Sequence, residues 1–196
     1  MKTKPENFSV KPTYDPVTAS MSNRTQVLYR MLVAVVGATQ GQEALSHLLC
    51  HDRTMGMLRD AVEGAFQTFD GQELYPTPFE KASHIAYTII HDHPAKDGNK
   101  RLGMLAFFVC GCYFSNGLGY TMPEEKFVKD ALMCASGSLT KGDFWQVMHE
   151  DCEEDYEAYP FTRAIYEFTV KHYWDGVEAM TSAYIEKFRK PLIELA

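Results

Sequence analysis

The sequence predicts an all-α protein with one small β-hairpin, and three observations carry that prediction. Apolar residues recur at helical spacing through most of the chain. Two threonine-led segments, Thr77-Pro-Phe-Glu80 and Thr121-Met-Pro-Glu124, read as capping boxes that open helices. One Asp-Gly pair, Asp70-Gly71, sits between the strand-like runs Phe66–Phe69 and Gln72–Tyr75, a short-range hairpin signal because a type I′ turn needs positive φ at both central residues.

In chain order, residues 1–22 carry Pro5, Pro12 and Pro16 with no sustained period, so an irregular arm is expected ahead of a single helical domain at 23–196. From Arg24 to Val36 the residues Val27, Leu28, Met31, Leu32 and Val35 fall on one helical face. Shorter helices are expected near 42–50 and 54–66, followed by the hairpin as the only β element. The helix opened by Thr77 buries Phe79, Ala82, Ile85, Ala86, Ile89 and Ile90 and runs to about His91. A loop over 93–98 leads into a helix from Asn99 to Ser115, stopped by Asn116-Gly117. Apolar residues surround that helix on nearly every side, which marks it as central and buried.

The Thr121 box opens a helix to about Ala135, and another starts after Thr140 and passes Trp145. The acidic run from Glu150 to Glu157 reads as a solvated face. Two further helices over 160–195 break near Asp175-Gly176.

The chain has 196 residues, 45% of them hydrophobic, which is ample for one core. A net charge of −7 argues against nucleic acid as a partner, since backbone affinity needs surplus Lys and Arg. Five scattered cysteines do not make a disulfide framework, and reduced thiols in a cytoplasmic protein are the simpler reading. Cys110-Gly-Cys112 lies inside the central helix and reads as packing. The polar, proline-broken start shows no secretory signal. The most apolar run, Leu102–Phe114, is interrupted by glycines and too short for a bilayer, so no membrane partner is expected.

The chemistry concentrates in His93-Pro-Ala-Lys-Asp-Gly-Asn-Lys-Arg101. Unpaired N–H groups at the start of a buried helix form an anion site, and Gly98 lets a phosphate approach the backbone. Lys100 and Arg101 oppose the helix dipole in the first turn, a placement that makes sense if they serve a bound anion. Arg101 offers a planar fork for phosphate oxygens and Lys100 a point charge. Asp97 is a hard oxygen ligand suited to Mg²⁺. His93, with an ordinary pKa near neutrality, suits a general base on an incoming hydroxyl. Singly, Asp97 reads as a helix cap and Lys100 and Arg101 as surface charges; their concentration at the mouth of a buried helix favours a site.

This segment resembles the signature of the Fic/Doc family, and its Asn-Lys-Arg is most similar to the Doc-like branch. The resemblance covers about residues 50–150. Phe69-Asp-Gly-Gln-Glu-Leu-Tyr-Pro-Thr-Pro is similar to the family's flap and the helix start behind it. Tyr113-Phe-Ser-Asn-Gly-Leu and Ala135-Ser-Gly-Ser-Leu-Thr resemble the segments after the motif helix. The resemblance implies a Fic/Doc-type helical bundle with a hairpin flap, and an enzyme that uses ATP and Mg²⁺ to modify a Ser, Thr or Tyr hydroxyl on a target protein. It implies His93 as base, Lys100 and Arg101 as catalytic phosphate contacts, Gly98 and Asn99 as anion cradle and Asp97 as Mg²⁺ ligand. A flap of Phe69, Asp70, Gly71, Gln72, Glu73 and Leu74 would hold the target by strand addition.

Three positions depart from the family pattern. Ala95 replaces the usual Phe that anchors the loop. Lys100 replaces the glycine of AMP-transferring members, and Met104 their second arginine. The last two changes favour phosphorylation over AMP transfer. No Ser/Thr-x-x-x-Glu-Gly/Asn inhibitory segment is found, which assigns restraint to a separate antitoxin-like protein. Three other readings compete: AMP transfer, an inactive binding module (favoured by Ala95), and a metal-dependent hydrolase using His91, His93 and Asp97.

Overall fold

A computed structural model describes residues 26–28, 30–32, 35 and 52–196. The irregular arm at 1–22 and the helix near 42–50 lie outside these residues. Where the first amphipathic stretch is described it is helical, and Val27, Leu28, Met31, Leu32 and Val35 are all buried. It is followed by α1 (Asp52–Gly64), then by the hairpin strands β1 (Thr68–Phe69) and β2 (Gln72–Glu73). These pair antiparallel, Thr68 with Glu73 and Phe69 with Gln72. Asp70 at φ 51° and Gly71 at φ 78° form the turn with both residues left-handed, as the Asp-Gly pair predicts.

The fold is organised around α2 (Pro78–Asp92) and α3 (Asn99–Phe114). Thr77 caps α2 as expected: its hydroxyl accepts from Glu80 N–H, and the Glu80 carboxylate accepts from Thr77 N–H. Helix α3 is buried at Asn99 and from Arg101 through Cys112, so a helix apolar all round is indeed central. Gly103 sets how closely the two pack, since a Cβ there would lie 2.4 Å from Ile90 Cγ1 and 2.9 Å from the Ala86 carbonyl oxygen. Cys110 and Cys112 are buried in the same core, and burial pushes their thiols up to about 12 and about 11.

The remaining elements are β3 (Tyr120–Thr121), α4 (Glu124–Ala135), α5 (Lys141–Asp151), β4 (Glu153–Glu154), α6 (Tyr159–Lys171), α7 (Tyr173–Lys187) and α8 (Arg189–Glu194). Helix α5 opens with a second complete capping box, Thr140 with Asp143. Four expectations are corrected. The Thr121 capping box does not form; Thr121 pairs with Glu153 in a β3–β4 ladder, and α4 starts three residues later with Pro123 at its cap and no side-chain cap bond. The hairpin is therefore not the only β element. The acidic run is only partly a solvated face, because β4 lies within it and Asp151 and Asp155 pair with Lys126 and Lys187. The C-terminal break falls at His172, not at Asp175-Gly176, and α8 adds a third helix. Gly176 instead lies inside α7 where it crosses α6: a Cβ there would sit 2.2 Å from Thr169 Cα. Small size, not helix breaking, explains that glycine.

Val177, Met180, Tyr184, Phe188 and Leu192 of the C-terminal segment are buried. The Phe188 ring lies 4.4 Å from Phe108 of α3 and 4.9 Å from Phe127 of α4. Among the described residues no helix is long and apolar enough to cross a membrane.

Candidate functional site

The motif loop joins the C-terminus of α2 to the N-terminus of α3. His93 ends α2 in the left-handed region, with φ 50° and ψ 61°, a conformation uncommon for a residue with a side chain. That turn leaves the His93 side chain exposed while Pro94 and Ala95 dive into the protein.

Two buried tethers fix the loop. The Thr54 hydroxyl of α1 donates to the Pro94 carbonyl at 2.7 Å. Asn99 clamps Ala95 twice: its side-chain amide donates to the Ala95 carbonyl at 2.7 Å, and its side-chain oxygen accepts from the Ala95 N–H at 2.8 Å. Ala95 itself is buried, 4% exposed. The loop is thus held through backbone hydrogen bonds. The Asn99 side chain is committed to this clamp, and its backbone N–H stands in the first turn of α3.

Gly98 caps α3 at φ 77°, and its carbonyl accepts from Leu102 N–H. Only glycine adopts this left-handed geometry without strain. Its own N–H donates to Asp97 Oδ1 at 2.6 Å. The N–H groups of Asn99, Lys100 and Arg101 lie in the first turn, where no intrahelical acceptor exists, so they carry the positive end of the helix dipole.

Arg101 is the most telling residue. It is 4% exposed, and among the described residues its Nε has no hydrogen-bond partner and its one ion pair is to Asp97 Oδ2 at 4.0 Å. A buried guanidinium is costly unless its donors are satisfied. A single carboxylate on an exposed side chain at that distance satisfies it poorly, and an anion at the start of α3 would complete it. Lys100 stands half-buried beside it. Met104, one turn further along, is fully buried and presents nothing to a ligand.

The hydrolase grouping is not assembled. Among the described residues no three His, Cys, Asp or Glu side chains converge on a metal position. His91 is drawn aside, with Nδ1 2.8 Å from Asp92 Oδ1 and its ring stacked on Tyr87 at 5.1 Å. Asp97 alone still fits a Mg²⁺ ion, because that ion is commonly held by one or two carboxylates, with phosphate oxygens and waters completing its shell.

Phe69, Asp70, Gly71, Gln72, Glu73 and Leu74 are all exposed, Phe69 by 76%. Leu74 N–H donates to the Gln67 carbonyl. In an antiparallel pair the bonds alternate, so the Glu73 main chain faces outward from β2, on an edge that no strand pairs among the described residues.

Two residues of the region were missed in the sequence. Thr54 gave no signal, being one hydroxyl in an ordinary helix. Lys81 did: it lies on the stripe of Ile85 and Ile89, a cation where an apolar residue belongs. It is buried, and its ammonium donates to Glu73 Oε2 at 2.6 Å and to the Tyr75 carbonyl.

The model described as the Fic/DOC family matches residues 22–110, which takes in α1, the hairpin, α2, the motif loop and most of α3. No curated protein and no solved structure matches the chain.

Proposed function

We propose that this protein, through the Fic/DOC-family domain at residues 22–110, is an ATP-dependent transferase that phosphorylates a Ser, Thr or Tyr hydroxyl on another protein. The observation that carries this reading is Arg101, a buried guanidinium at the start of a buried helix whose Nε has no partner among the described residues. Such a position suits a phosphate group.

In this reading the backbone N–H groups of Asn99, Lys100 and Arg101 hold phosphate oxygens, and the Arg101 guanidinium clamps them from the core side. Asp97 would hold Mg²⁺, which when bound would neutralise charge on the phosphate chain. His93, exposed at the end of α2, takes the proton of the target hydroxyl. The hydroxyl oxygen bonds to the terminal phosphorus as the bond to the second phosphate's bridging oxygen breaks, and ADP leaves. The free edge of β2 at Glu73 aligns the target segment by strand addition. The site is proposed to work in the cytoplasm, restrained by a separate antitoxin-like protein.

Two features support terminal-phosphate transfer over AMP transfer. Lys100 occupies a first-turn position that the AMP-transferring branch keeps as glycine, and Met104 lies in the core with no charge for the far end of a phosphate chain. The deciding test is a lysate incubated with the protein and ATP labelled on either the γ- or the α-phosphate. Label on a protein from γ-labelled ATP alone is the expected outcome. Label from α-labelled ATP would reassign the reaction to AMP transfer, and none from either would favour an inactive binding module.

A further inference from the structure

We infer that Lys81 is the positioning residue of the flap: it holds the β1–β2 hairpin at the orientation in which the Glu73 edge receives the target strand. The inference rests on the transferase reading for what the flap does, but not for what Lys81 holds.

The hairpin cannot hold itself in place. It has two residues per strand, all exposed, and a lone two-stranded hairpin is marginal in water. Its attachment to the body therefore decides where it points. Lys81 contacts both legs. On the outgoing leg its ammonium donates to the Glu73 carboxylate at 2.6 Å and to the Tyr75 carbonyl. On the incoming leg it lies 5.6 Å from the centre of the Phe66 ring, within cation–π range. Its side chain is 10% exposed, against 50% for Glu73, so the lysine belongs to the body and the glutamate to the flap.

A lysine this buried is kept only where its donors are met, and two of its partners are on the flap leg. The Glu73 side chain is turned inward to Lys81, while its main-chain groups remain on the outer edge. The same residue is thus anchored by one end and offered by the other. Tyr75, fixed through its carbonyl, stacks on His84 of α2 at 4.4 Å and continues the attachment toward the helix.

The test compares wild type with Lys81→Met, which keeps the apolar stem, and Lys81→Arg, which keeps the charge. Amide hydrogen exchange on the full chain reads the anchor directly. The Leu74 N–H of Lys81→Met should exchange at least about tenfold faster, with α3 amides unchanged, since local opening is set by local contacts. Lys81→Arg should restore most of that protection. In the lysate assay, Lys81→Met should raise the protein concentration needed for half-maximal labelling while the rate at saturation and ATP affinity by calorimetry stay near wild type.

Unchanged Leu74 exchange in Lys81→Met would overturn the inference. So would a loss confined to the saturated rate, which would place Lys81 in the chemistry instead. If wild type labels nothing, the transferase reading fails, and the exchange comparison still decides whether Lys81 anchors the hairpin. Should Lys81→Met not fold, Glu73→Gln, which removes the partner's charge on an exposed strand, should show the same faster Leu74 exchange.

Discussion

Arg101 and His93 divide the proposed labour, and their substitutions should separate it. His93 is exposed at a helix end with its backbone already turned, so His93→Ala should leave the fold and ATP binding intact. Loss of a general base costs roughly 10²–10⁴-fold in rate, and a labelling time course with γ-labelled ATP reads it. Full activity in a folded His93→Ala protein would remove His93 from the mechanism. Arg101→Met keeps the buried stem and deletes the fork. A charge-assisted hydrogen bond contributes about 1.5–3 kcal/mol, so ATP affinity by calorimetry should fall roughly 10- to 100-fold. Equal affinity in the two proteins would place the anion pocket elsewhere.

Among the helices, α4 carries a group that sets a pH dependence of stability. Asp130 is fully buried in it. Burial, and then the charge of Asp151, pushes its carboxyl up to about 6, against weaker opposition from Lys129 and Lys126. A carboxyl raised in the folded state binds its proton more tightly there than in the unfolded chain. Its stabilising contribution is therefore complete below its ordinary value of 3.8 and is lost as pH rises through about 6. Asp130→Asn removes the buried charge, so it should be more stable than wild type above neutrality by about 1–3 kcal/mol. Near pH ~4 the difference should vanish, because wild type is then protonated. Urea melts at the two pH values measure this, and an equal ΔΔG at both would show that proton binding is not the cause.

At the scale of the whole molecule, the C-terminal helices are part of the core. Phe188 fills the space between Phe108 of the motif helix and Phe127 of α4. Val177, Met180, Tyr184 and Leu192 are buried with it. Each such side chain contributes about 1.5–3 kcal/mol by leaving water, and a domain's net stability is only about 5–15 kcal/mol. A chain ending at Ala158 should therefore lack a cooperative thermal transition by circular dichroism and should bind a hydrophobic dye. A cooperative melt in that truncated chain would show that a core closes without the C-terminal helices.

By itself, the sequence determined whatever depends on near neighbours. The Thr77-Glu80 cap, the Asp70-Gly71 turn, and the burial of α3 all follow from a few adjacent residues or a periodic stripe, and each is found where those residues stand. The His93–Arg101 segment stands out in the sequence for the same reason: its unusual residue types are contiguous, and the structure sets them at the mouth of α3. Tertiary structure decided what joins distant parts of the chain. Thr121 satisfies a capping pattern locally, but Glu153 offers it a ladder partner thirty-two positions away. Gly176 reads as a breaker until Thr169 of the neighbouring helix is seen against it. The loop's fixation followed the same rule. Ala95 stands where the resemblance would place an anchoring ring, and Thr54 and Asn99 hold the loop's backbone. No local pattern encodes the Thr54 bond, because a backbone carbonyl accepts from whichever donor the packing of helices brings to it.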